Sequence, residues 1–97
     1  MAEFAGDGTA MTCWLCARPL GRRMEWHHPT PRSRGGRDRV AVHPICHRTI
    51  HARFTNAQLE RDGTSPETLR ADPAIARFLS WIASKPPDFH APTHRKG

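Results

Sequence analysis

Tyrosine is absent from this 97-residue sequence, and cysteine occurs only three times, at Cys13, Cys16 and Cys46. An odd cysteine count cannot close a complete disulfide framework. No apolar run approaches the ~20 residues that cross a bilayer, and the opening residues lack the charged-then-apolar order of a secretion signal. No membrane partner is expected, and a reducing cytoplasm, where thiols serve as metal ligands, is the expected compartment. Hydrophobic residues are also scarce, at 37%, while nine Pro and seven Gly interrupt the chain. A single domain of this size buries too little surface to be comfortable on packing alone, so the thin core calls for a staple such as a metal ion.

Acidic residues are few where basic ones are dense. Residues 18–53 hold nine arginines against two acids, Glu25 and Asp38, so this stretch alone carries +7 and the rest of the chain brings the total down to +6. Arginine's planar fork matches phosphate oxygens, which points to a polyanion. A solvated, charge-solubilised surface is the competing reading. The coincidence of these arginines with the cysteines and histidines favours nucleic acid.

Residues 1–10 lack periodicity and read as a disordered leader. Residues 11–46 are broken every few positions by Pro and Gly and leave room only for turns and short strands such as Val40-Ala41-Val42. From Cys46 onward Ile50 and Phe54 stand four apart, as do His47 and His51, giving a short helix with an apolar and an imidazole side. Thr55-Asn56-Ala57-Gln58 has capping-box spacing, and Gly63 stops a second helix at 56–62. Ser65-Pro66 and Asp72-Pro73 resemble N-caps followed by proline. Ile75, Phe78, Leu79 and Ile82 give 74–84 an amphipathic helical pattern that packs back on the preceding unit or forms a dimer contact. Trp26, Phe54, Phe78 and Trp81 are expected in the core. Lys85-Pro86-Pro87-Asp88-Phe89 ends the last helix. The expected organisation is a leader at 1–10, a metal-held unit at 11–55, a helical extension at 56–89 and a mobile tail at 90–97, where His90 and His94 are surface groups.

Cys13-Trp14-Leu15-Cys16 is a C-x2-C knuckle, and His43-Pro44-Ile45-Cys46 repeats the spacing about thirty residues later. Four soft ligands can close a tetrahedron around a structural zinc. Buried apolar cysteines with an incidental His43 are the competing reading, and His47 or water is an alternative fourth ligand. Four histidines remain nearby. Adjacent residues on a strand point to opposite sides, so His27 and His28 take different roles. His47 and His51, one turn apart, can share one ion.

Glu25-Trp26-His27-His28-Pro29-Thr30-Pro31-Arg32-Ser33-Arg34-Gly35-Gly36, followed by His43-Pro44-Ile45-Cys46-His47-Arg48-Thr49-Ile50-His51, resembles the HNH endonuclease signature across residues 13–54. A bacterial subgroup of small HNH proteins resembles it further, in the helical extension and the Lys-Pro-Pro-Asp-Phe ending. The resemblance implies an α+β fold: a small ββα-metal unit stapled by zinc, with a C-terminal helical extension. It makes His28 the general base, Asp38 the residue that orients it in place of the family's middle Asn, and His27, His47 and His51 the ligands of a catalytic divalent ion such as Mg²⁺, Mn²⁺, Ni²⁺ or Zn²⁺. Arg48 and Arg53 would hold the scissile phosphate, and Arg32, Arg34, Arg37 and Arg39 would grip flanking backbone.

The expected function is thus a metal-dependent endonuclease acting on DNA, double-stranded by preference, with little sequence selectivity. The alternatives are an inactive zinc-bearing nucleic-acid-binding module and a subunit that cuts only with a larger phage or repair partner. A homodimer would account for double-strand cutting by a one-site enzyme.

Overall fold

The computed structural model describes residues 11–31 and 34–91. The leader at 1–10, the end of the tail from 92, and Arg32, expected on nucleic acid, lie outside the described residues. The rest is a small α+β chain with one two-stranded sheet and four helices. Strands β1 (Glu25–His27) and β2 (Val40–Val42) pair antiparallel, with His27 opposite Val40, Trp26 opposite Ala41 and Glu25 opposite Val42. Helices α1 (Pro44–Arg53), α2 (Asn56–Asp62), α3 (Pro66–Arg70) and α4 (Pro73–Ile82) follow. None is long and apolar enough to cross a membrane.

Local chemistry sets most of these boundaries. Thr55 accepts from the Gln58 N–H at 3.1 Å while Gln58 Oε1 accepts from the Thr55 N–H at 2.8 Å, the reciprocal pair that starts α2. Asp72 caps α4 by accepting from the Ala74 and Ile75 N–H groups. Ser65 does not cap α3; its hydroxyl donates to Glu67 instead, at 2.7 Å. His43 stands at the N-cap of α1 with extended backbone and no side-chain cap, because its ring is turned toward the cysteines.

The hairpin loop shows why its two glycines are needed. Gly35 has φ +87°, which side-chain-bearing residues rarely adopt, and a Cβ on Gly36 would collide with the Thr30 carbonyl. Gly36→Ala should therefore rearrange the loop that joins the two strands and lower the melting temperature by several degrees, whereas Ala substitution at exposed Arg37 should leave it nearly unchanged.

One core joins the described elements. Leu15, Val42, Ile45 and Ile50 pack in a single cluster with Leu59, Leu69, Ile75 and Ile82 from the later helices. The buried face of α4 is thus covered by its own chain. Phe54 and Phe78 pack on this cluster at its margin. Trp26 and Trp81, expected in the core, are 44% and 45% exposed. Strand alternation turns Trp26 outward because His27 takes the inner face, and the Arg39 guanidinium lies 4.3 Å from its ring centre. Trp81 meets Phe89 and Phe78 in an outer aromatic group beside Lys85.

The segment after α4 is docked. Arg18 donates to the carbonyls of Lys85 and Pro86, and the Asp88 carboxylate accepts from the Arg22 and Arg23 N–H groups at 3.1 and 3.0 Å. Those two N–H groups hold the Asp88 carboxyl below its ordinary pKa.

Candidate metal centres

Cys13, Cys16, His43 and Cys46 bring four ligand atoms within 4.8 Å of one another. The knuckle reverses through Ala17, at φ 64°, with the Ala17 N–H bonded to the Cys13 carbonyl and the Cys13 N–H to the Arg18 carbonyl. The Trp14 N–H bonds the Ala41 carbonyl and fixes the turn to β2, while Arg70 donates to the Leu15 and Trp14 carbonyls at 2.7 and 3.0 Å. Proline at the start of α1 holds His43 extended, so residues 43 and 46 meet the knuckle from the other side.

His43 Nε2 lies 2.9 Å from the Pro19 carbonyl. A carbonyl only accepts, so Nε2 carries the proton and Nδ1 presents its lone pair to the sulfurs. Nδ1 is 3.4 Å from Cys16 Sγ and 3.8 Å from Cys46 Sγ. Ligands at tetrahedral zinc distances stand roughly 3.6 Å apart, so this set fits zinc. The structure groups His43 with the three cysteines, while His47 stands in the other cluster and bonds Glu25. Three crowded thiols cannot all ionise unaided. The Cys13 thiol is pushed down because Cys16 and Cys46 donate to it, and Cys16 and Cys46 are pushed up by the same contacts and by burial. The Arg18 guanidinium, 3.8 Å from Cys16 Sγ, opposes the surplus negative charge that three thiolates leave on a divalent ion.

The second group is His27, His47 and His51, whose ligand nitrogens also lie within 4.8 Å of one another. Ring centres are 4.9 to 5.4 Å apart, and the rings meet edge to face. His27 comes from β1, and the other two from successive turns of α1. His27 is fully buried, and neither ring nitrogen has a hydrogen-bond partner. Burial first, then the charges of neighbouring histidines, lowers its pKa to about 3, so it is a neutral donor at neutral pH. Burial also lowers His51. His47 Nδ1 donates to Glu25 Oε1 at 2.9 Å, which leaves Nε2 as its lone-pair nitrogen. The donor set thus fits a borderline divalent ion.

No family model matches the chain, and no solved structure matches it. Over 78 residues it is 38% identical to the uncharacterized protein YisB of Bacillus subtilis (strain 168), covering 78% of this chain and 77% of that one. The chain belongs to the YisB family.

In this YisB-family chain the other expected site residues are scattered around the two clusters. His28 leaves the end of β1, half-buried, beside the buried His27 but outside the three-nitrogen group. Asp38 is exposed and lines a cavity with Thr30 and Gly36. Arg37, Arg39 and Arg48 are exposed. Arg34 lies 3.6 Å from Glu60, an exposed pair of small energetic weight. Arg53, expected on phosphate, is instead clamped to Asp72 through two hydrogen bonds of 2.8 and 2.7 Å. That contact, with the cap on α4, holds the Asp72 carboxyl below its ordinary pKa. Asp72→Ala should cost about 1–2 kcal/mol from the lost cap alone, and the difference from wild type should shrink in urea melts as pH falls through the carboxylate range.

Glu25 is the functional residue that motif spacing passes over. Its signal is the alternation of strands, which puts residues 25 and 27 on one face. The Pro19 carbonyl and Arg18, which flank the cysteine cluster, have no such signal.

Proposed function

We propose that this YisB-family chain is a metal-dependent endonuclease of the HNH type, built as a ββα unit around the imidazole cluster and stapled by zinc at the cysteine cluster. The observation that supports it most is His27, an imidazole with two buried, unpartnered nitrogens facing two more imidazoles. Leaving a buried polar group unsatisfied in this way costs about 1–3 kcal/mol, a cost that an ion bound at one of the ring nitrogens lowers. A divalent ion held there supplies Lewis-acid polarisation of a phosphodiester.

The chain's own residues divide the remaining work. Glu25 fixes the ring of His47. His28 accepts a proton from the attacking water, whose oxygen bonds to phosphorus as the leaving oxygen departs. Arg48, exposed on the helix that carries His47 and His51, grips the phosphate, and Arg39 holds flanking backbone of double-stranded DNA. A cytoplasmic site of action belongs to the same reading, since all three cysteines are free. Among the described residues no side-chain hydrogen bond fixes His28, which favours a variant of this reading in which DNA or a partner protein completes the site.

Plasmid cleavage at low salt tests the proposal, with Mg²⁺, Mn²⁺, Ni²⁺ or a chelator, beside His28→Ala. Metal-dependent nicking that His28→Ala abolishes supports the nuclease and its base together. Zinc-loaded protein that binds DNA and cuts with no metal sinks the proposal for the isolated chain.

A further inference from the structure

Between the zinc knuckle and the Gly-Gly loop lies a cavity of about 560 Å³ that neither metal cluster uses. That volume is in the range of small-molecule sites. Trp14, Thr30, Gly36, Arg37, Asp38 and Thr64 are among the residues that line it. The cavity is next to the proposed chemistry in two ways. The Trp14 ring centre is 5.6 Å from that of His27, and Thr30 follows His28 by two residues.

We infer that this cavity takes one unstacked guanine base next to the scissile phosphate, a substrate preference that rests on the nuclease reading. An indole wall stacks any base, since every base has a π-face. The polar groups choose among bases. On its Watson–Crick edge guanine presents two N–H donors side by side, at N1 and N2, and a carboxylate such as Asp38 accepts both. Its O6 and N7 are the acceptors that a guanidinium such as Arg37 recognises. Adenine and cytosine each offer a single amino group to a carboxylate, and thymine a single N–H. The threonine hydroxyls of Thr30 and Thr64 serve either as donors or as acceptors. Reaching such a pocket requires a base out of its stack, so within double-stranded DNA the favoured sites are those where a base leaves its stack readily, as at mismatches and flaps.

The test uses the zinc-loaded chain with Trp26→Phe and Trp81→Phe, which leaves Trp14 as its only tryptophan. Titration with dGMP and GMP should quench Trp14 fluorescence saturably, at concentrations at least tenfold lower than dAMP, dCMP or dTMP require. Asp38→Asn should flatten that preference, and Thr64→Phe, which fills the cavity, should abolish the quenching while zinc content and circular dichroism stay unchanged. Equal quenching by all four nucleotides, or none, overturns the inference. Sequencing the ends cut from random single-stranded DNA and RNA is the second arm, and guanine at a fixed position beside the cut is expected. Cutting without that bias overturns the pocket and leaves the nuclease standing. Selective dGMP binding by a protein that cuts nothing leaves the pocket standing and removes the nuclease.

Discussion

Removing zinc with a strong chelator is expected to unfold the chain. Structural zinc contributes about 10–16 kcal/mol of apparent binding free energy in small domains, whereas the net stability of a folded domain is about 5–15 kcal/mol. The cysteine cluster also ties the knuckle to the start of α1 at the centre of a thin core. Cys13 and Cys46 are buried within the common core, and β1 and β2 contribute only three residues each. Far-UV circular dichroism during chelation should show loss of helix with release of zinc, and Cys46→Ser should reproduce it without chelator. A chelated protein that keeps a cooperative melt within a few degrees of the loaded one would show that packing suffices. The same titration run at decreasing pH should need less chelator, because protons compete with the ion for three thiolates and an imidazole.

The second large effect has the opposite sign. Replacing His27 with Leu should raise the stability of the zinc-loaded chain by about 1–3 kcal/mol when no second ion is present, since it removes two buried nitrogens without partners. In a domain this small that corresponds to a rise in melting temperature of roughly 4–8 °C per kcal/mol. The same variant should lose binding of Mn²⁺ or Ni²⁺ and with it any metal-dependent cleavage. A residue kept for packing would behave differently, with the melting temperature falling while ion binding persisted. pH separates the two as well. His27 has a folded pKa of about 3, below the 6.5 of an ordinary histidine, so the unfolded chain takes up the proton first. Its contribution is therefore intact above about 6.5 and is lost as pH falls from there toward 3, by at most about 1.4 kcal/mol per unit. Wild type should lose stability across that window faster than His27→Leu.

These two clusters were visible in the sequence to different depths. Spacing alone paired Cys13 and Cys16 with His43 and Cys46, because a tetrahedral site needs two close pairs and a turn enforces each. Spacing also joined His47 to His51 along a helix and placed the capping box at Thr55. Such features are local, and local sterics decide them. Spacing also favoured His43 over His47 as the fourth soft ligand; what it could not show is what holds each ring, the Pro19 carbonyl for His43 and Glu25 for His47, each more than twenty residues away. The charge count misled in one respect. It treated nine arginines as one basic surface, yet Arg18 holds backbone carbonyls and Arg53 holds Asp72. Nothing in composition separates an arginine that binds its own chain from one that binds a phosphate. Trp26 and Trp81 show the same limit for apolar residues, since strand alternation and the docked tail decide their exposure.

Arg18 also ties the order of synthesis to the order of assembly. The knuckle is translated first, yet the carbonyl of Lys85 that its arginine holds lies 67 residues downstream. At roughly 5–20 residues per second, several seconds separate the two on the ribosome. His43 and Cys46 follow the knuckle after only about thirty residues, so all four candidate ligands are in place well before the tail that Arg18 holds. The Arg18 contact is accordingly the last that the knuckle makes, and the metal cluster is complete in sequence nearly forty residues before it.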